Sequence, residues 1–190
     1  MKKVQPFTTK KTQNQSGFTM IELLIVIVIM GILSVVGLGA FTSSQIKARD
    51  SQRKTDLRTI GDALEAYYND YGSYPIADAA GAFLGCGAGG AELCAYGGTW
   101  VNDRGTTYMV QIPTDPNDGA YYYISDSDGT YFRIYAHLEN ERDREVPLDA
   151  SEDPTYYVEP FDEVGIGACA TGDCNYGRSS SNVDLGAIAL

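Results

Sequence analysis

Four cysteines, Cys86, Cys94, Cys169 and Cys174, fall into two local pairs with seven and four residues between their members. Such thiols can do redox chemistry, hold zinc or close disulfides. A four-thiolate zinc site wants two to four residues within each pair, and the first pair misses that spacing. In an exported chain an even count reads first as two disulfides. Three connectivities are open, and the local one, 86–94 with 169–174, is the expectation. Carboxylates form the second group. Asp115, Asp118, Asp126 and Asp128 surround glycine turns, and oxygen-rich loops of this kind can hold calcium, with Asp126 and Asp128 as candidate ligands. No complete loop signature is present, since the closing glutamate of an EF-hand is missing. Turn-forming aspartate is the plainer reading, so no metal or other cofactor is expected. The one histidine, His137, falls mid-way along a strand-like run on its polar face and reads as solvent-facing. No Gly-x-Ser-x-Gly, phosphate-cradling loop or His-rich metal motif occurs. An enzyme is not expected.

The most informative carboxylate is Glu22. It sits at the head of residues 18–41, a run with no other charged side chain. As a helix this run is about 36 Å long, enough to cross a bilayer. A carboxylate in such a run costs on the order of a few kcal/mol and usually has a partner. An α-amine freed at Phe18, in this chain or a neighbour, would supply one. The alternative is a first-turn acid favoured by the helix dipole. The run is too long for the core of a secretory signal, and the small pair Ser16–Gly17 precedes it instead of following it. A cut after Gly39 satisfies the small-x-small rule only weakly. Four lysines precede the run, but five basic residues between Lys47 and Arg58 follow it, so charge alone leaves orientation open. The cysteines require an oxidising compartment downstream, which puts the N-terminus in the cytoplasm.

The stretch Gln15-Ser-Gly-Phe-Thr-Met-Ile-Glu-Leu-Leu-Ile-Val26 resembles the class III leader of type IV pilins and type II secretion pseudopilins. The resemblance implies that a prepilin peptidase cuts after Gly17 and methylates Phe18, and that Glu22 neutralises a neighbouring amine during filament assembly. It is specific over residues 15–41 and weaker beyond. Where many relatives have a helix-loosening proline, this chain has Gly39 with Gly37 beside it, which weakens a helix by about 1 kcal/mol per glycine.

The elements that position these groups follow in order. After the leader (1–17) and the transmembrane, assembly half of the helix (18–41), an amphipathic half (42–72) carries Leu57, Ile60, Leu64, Tyr67 and Tyr71 at helical spacing. Gly72 and Pro75 stop it. The basic residues 47–58 suit either acidic neighbours in an assembly or a solvated face. Residues 73–106 are a Gly/Ala-rich connection, loosely structured and stapled by Cys86 and Cys94. Pilins carry a variable loop there, and the resemblance implies subunit contacts. Residues 107–140 form an antiparallel sheet. A strand over Thr107–Ile112 precedes a hairpin, 120–125 with 130–138, around Asp126-Ser-Asp-Gly129. In its second strand Phe132, Ile134, Ala136 and Leu138 alternate with Tyr131, Arg133, Tyr135 and His137. The Ile112-Pro-Thr-Asp-Pro116 turn resembles secretion-type major pseudopilins, relatives of which hold calcium near their final strands. The tail, 141–190, holds the second cysteine pair, an edge-strand candidate at 156–161 and a loop at 179–182.

The chain has 190 residues and net charge −11, with four lysines and no acid in the leader. The strongly acidic remainder argues against nucleic acid as partner. Fourteen tyrosines read as sheet filler and intersubunit surface. The expected fold is α+β and pilin-like, a long N-terminal helix packed on a small antiparallel sheet. The expected function is a pilin-like precursor, processed at the inner membrane, that polymerises into a filament displayed outside the cytoplasm. Its expected partners are other pilin-like subunits, the prepilin peptidase, the inner-membrane assembly platform and the membrane itself. The length of the tail leans toward a pilus subunit over a secretion or competence pseudopilin, and a signal-anchored binding domain that never polymerises is the alternative of a different class.

Overall fold

One helix, α1 (Met20–Tyr71), leads the chain in a computed structural model that describes residues 17–78, 81–87, 90–117, 121–157 and 174–185; the side chains of 36–40 are outside that description. The chain divides into two compact units, Met1–Ser43 and Ser44–Leu190. In the first, the described side chains of Phe18 to Val35 are exposed on every side of the helix. Among the described residues no helix is long and apolar enough to cross a membrane. The apolar run of the sequence continues through residues 36–40.

The second unit begins on the amphipathic half of α1. Leu57, Ile60, Ala63, Leu64 and Tyr67 are buried at three- and four-residue spacing, as the periodicity predicts. Gly72 ends the helix at φ +75°, donating its N–H to the carbonyl of Tyr68 at 2.7 Å. A left-handed residue there is the usual helix stop, and only glycine takes it without strain.

Against this face pack three small antiparallel sheets. Strands β1 (Phe83–Cys86) and β2 (Glu92–Cys94) form the first, β3 (Trp100–Val101) and β4 (Thr107–Met109) the second. The third runs in the order β5 (Tyr122–Ser125), β6 (Phe132–Ala136), β7 (Tyr176–Ser179). The Asp126–Gly129 hairpin pairs Tyr122 with Tyr135 through Ser125 with Phe132. Phe83, Trp100, Ile112, Tyr123, Phe132 and Ile134 meet the helix in one aromatic-rich core. Each such side chain contributes about 1.5–3 kcal/mol on burial, and Tyr67, Trp100 and Tyr108 add ring contacts with centroids 5.0 to 5.5 Å apart.

The fold is therefore the expected α+β plan, with four differences of detail. Where it is described, the Gly/Ala-rich connection is not loose: Phe83, Cys94 and Trp100 are fully buried and order β1, β2 and β3. The Thr107–Ile112 strand shortens to Thr107–Met109, although Ile112 is still buried. Ser179, read as loop, ends β7, which pairs with β6 from Arg133 to Ala136. Tyr135, assigned to the polar face, is fully buried in a second cluster with Tyr122 and Cys174, because Tyr157 and Leu185 also pack on that side of the sheet. Of the 156–161 edge-strand candidate, Tyr157 donates its N–H to the carbonyl of Cys174 at 2.8 Å, and 158–161 lie outside the described residues.

Candidate functional site

The N-terminal motif is built on the first turn of α1. Gly17 and Phe18 are exposed and precede the helix. Thr19 takes the cap position. Its N–H and its hydroxyl donate to Glu22 Oε2 at 2.8 and 2.7 Å, and the Glu22 N–H donates to Thr19 Oγ1 at 3.2 Å. This is a reciprocal capping box, satisfying donors that the helix start would otherwise leave bare. In the single chain Glu22 is thus a first-turn acid with a local partner. The signal was present in the sequence as Thr-x-x-Glu. A Cβ built on Gly17 would meet nothing within 4 Å, so no packing among the described residues requires glycine there. At this junction a small residue, Gly17, and an aromatic one, Phe18, are both exposed.

The cysteines follow the local pairing where they are described. Cys86 and Cys94 are joined, with Cα atoms 5.2 Å apart, across the β1–β2 hairpin. Cys174 is disulfide-bonded as well, and Cys169 lies outside the described residues.

Three of the five basic residues of α1, Arg49, Arg53 and Lys54, behave differently from a solvated face. Arg53 is buried at 2 % exposure and forks to three carboxylates. Its Nε and Nη2 donate to the Asp115 carboxylate at 2.6 and 3.1 Å, and Nη1 donates to Asp50 at 2.7 Å and Glu139 at 2.8 Å. Asp50 in turn accepts the backbone N–H groups of Glu139 and Asn140 at 3.0 and 2.9 Å. Arg49 clamps Glu139 through one guanidinium edge, Nε donating to Oε1 and Nη2 to Oε2. Lys54 pairs with Asp143 at 2.6 Å and also with Glu145. The Arg49 guanidinium, with Arg53 behind it, pulls the Glu139 carboxyl down to about 2. Burial lowers the pKa of Arg53, and the Asp115, Glu139 and Asp50 carboxylates more than offset it. One helix turn therefore pins the loop after Ile112 and the exit from β6. The sequence reading missed this hub, although Arg53 and Asp50 continue the Leu57–Ile60–Leu64 stripe backwards at the same spacing.

Two of the aspartates around the glycine turns are engaged otherwise. Asp126 closes its own hairpin, accepting the Thr130 N–H and hydroxyl at 2.6 and 2.5 Å, and Asp115 serves Arg53. Asp118 lies outside the described residues. Among the described residues no group of three or more His, Cys, Asp or Glu side chains is placed to hold a metal. His137 is half-buried just past the end of β6 and has a partner there, so it is neither mid-strand nor simply solvent-facing.

An open junction ahead of a capped, apolar helix, joined in sequence to a domain of helix on antiparallel sheet, defines a pilin-like subunit. Residues 12–38 match the family model of the prokaryotic N-terminal methylation motif, and residues 40–150 match that of the type II secretion system protein G. The chain belongs to the type II secretion system protein G family. It is 30% identical over 119 residues to the type II secretion system core protein G of Vibrio cholerae, covering 63% of this chain and 77% of that one. Identity to the Escherichia coli core protein G is 26%, over 70% of this chain and 88% of the relative. The type IV major pilin PilA of Myxococcus xanthus is 34% identical over 58 residues, which are 30% of this chain and 26% of that one. No solved structure matches.

Proposed function

We propose that this chain is the precursor of a major-type pseudopilin that is cut after Gly17, methylated on the Phe18 amine and polymerised into a secretion pseudopilus. The observation that carries the reading is the exposed Gly17–Phe18 junction directly ahead of the Thr19–Glu22 cap. Hydrolysis of that peptide bond by a prepilin peptidase releases the basic leader and frees an amine. A methyl donor then alkylates the amine. Residues 18–41 anchor the product in the inner membrane, with the leader on the cytoplasmic side and the acidic domain outside. On entry into a filament, Glu22 exchanges its Thr19 partner for the amine of a neighbouring subunit. A positive charge is a stronger partner than a neutral cap for a carboxylate in apolar surroundings. An inner-membrane platform drives addition of subunits. A second reading, a type IV pilus subunit, is favoured by the identity to a type IV major pilin.

Intact mass and N-terminal peptide mass spectrometry on protein from its native membrane test the proposal. A chain that begins at Phe18 and carries one added methyl supports it. An uncut chain, or one beginning near Ala40, overturns it in favour of a signal-anchored domain. Glu22→Ala should then abolish filaments while membrane insertion persists.

A further inference from the structure

The segment Glu139–Glu145 reads Glu-Asn-Glu-Arg-Asp-Arg-Glu. Three of its acids are engaged within the chain: Glu139 by Arg49 and Arg53, Asp143 and Glu145 by Lys54. Its turns are fixed as well, since Asp143 donates its N–H to the Asn140 carbonyl and Val146 donates to that of Asp143. Its two cations have no such partners. Arg142 and Arg144 are exposed and form no ion pair with any described residue. Both line two adjoining surface grooves. The smaller holds Lys54 and Asn140, and the larger has an apolar side made by Val146, Leu148 and Pro154. Glu141 and Glu152 share the larger groove without pairing to either arginine.

Free cations are scarce in this molecule. Beyond the leader the sequence has ten Lys and Arg. Arg49, Arg53, Lys54 and Arg178 form ion pairs, Arg104 lies over the Tyr71 ring, and Arg133 donates to the Asp184 carbonyl. Among the described residues that leaves Lys47 and Arg58 on α1, and Arg142 with Arg144 in the grooves. The chain carries −11, and loss of the leader with its four lysines makes it more acidic still. Packing such domains side by side brings like charges together, which is opposed unless cations sit in the contacts.

We propose that the Arg142–Arg144 grooves are an intersubunit dock that receives an exposed acidic segment of a second copy of this chain. The two guanidiniums supply charge-assisted hydrogen bonds, and the Val146–Leu148–Pro154 side supplies apolar contact. The contact rests on the filament reading above and extends it by naming the surface. Being exposed and ionic, it is sensitive to salt.

The test uses the full chain in cells that assemble it. Arg142→Gln with Arg144→Gln, and the same pair changed to Glu, should leave processing at Gly17 and the amount of membrane-inserted chain unchanged. Filament yield should fall at least about fivefold in the Gln pair and further in the Glu pair, and wild-type filaments should shorten as salt is raised to about 1 M. A photo-crosslinking residue at Leu148 should capture a second copy of this chain. Wild-type yield in the Gln pair overturns the dock, as does capture only of lipid or of a different protein. A wild-type chain that is uncut and forms no filaments overturns the filament reading itself. That result differs from a loss confined to the arginine variants.

Discussion

A guanidinium at 2 % exposure is tolerable only because its donors meet carboxylates on three sides. Charges taken out of water cost several kcal/mol each, and geometry must recover it. Arg53→Met would leave Asp50 and Asp115, both buried, without their counter-ion. The expected cost is about 3–5 kcal/mol, which lowers the thermal midpoint by roughly 10 °C in a domain of this size. Arg53→Lys recovers only part, since an ammonium cannot fork to Asp115 as the guanidinium does. Thermal denaturation followed by circular dichroism measures both. The same hub sets a pH dependence. Arg49 and Arg53 hold Glu139 near 2, below its ordinary 4.5, so the unfolded chain takes up the proton first as pH falls. The stabilisation is complete above about 4.5 and is lost as pH drops toward 2. Glu139→Gln should flatten the midpoint against pH between 5 and 2, and an unchanged slope would show that other carboxylates set it. Asp56, raised by burial, acts in the opposite direction.

At the scale of elements, two glycines at positive φ separate handedness from crowding. Gly72, at φ +75°, has nothing within 4 Å of where a Cβ would stand. Gly72→Ala should therefore cost only the left-handed penalty of about 1–2 kcal/mol. Gly129, at φ +63°, has the Tyr74 carbonyl oxygen 2.4 Å from that point. Gly129→Ala must also push the hairpin away from the segment after α1, and urea denaturation should show a clearly larger loss than at Gly72. The Cys86–Cys94 bond closes a short loop, worth about 2.5 kcal/mol in the chain-entropy model. Cys86→Ser with Cys94→Ser should lose that much in the same titration.

What was legible divides along the same line. The β5–β6 hairpin was readable because Asp126 and Gly129 announce a turn and Phe132 to Leu138 alternate. The Cys86–Cys94 pair was readable from spacing. Strand β7 was not, because Tyr-Gly-Arg-Ser has neither alternation nor branched residues. It is held from outside itself: Arg178 lies across α1 at Gly61, where a Cβ would meet its Nε at 2.6 Å, and pairs with Asp62 at 2.9 Å. Arg53 was misread for a related reason. A charged residue in a buried stripe looks solvated until its partners, 62 and 86 residues further along the chain, are known.

For the whole molecule, the two units divide the work. Every residue of the main core, from Leu57 to Ala136, lies after Ser43, as do the hub and the disulfides. The first unit presents exposed apolar side chains and, among its described residues, contributes none to that core. Stability of the domain and assembly of the filament should therefore separate. Residues 44–190 produced alone in an oxidising compartment should be water-soluble and monomeric, and should unfold cooperatively. Removing Phe18 to Phe41 deletes the large exposed apolar surface without opening a cavity, so the thermal midpoint should stay within a few degrees of that of the detergent-solubilised full chain. The same fragment, lacking Glu22 and the Phe18 amine, should not enter filaments even when supplied in excess to assembling cells. Arg53 and its partners all lie within the fragment, so Arg53→Met should lower its midpoint as far as in the full chain. A fragment that aggregates or melts without a transition would show that the first unit stabilises the second, and the division at Ser43 would not then be one of function.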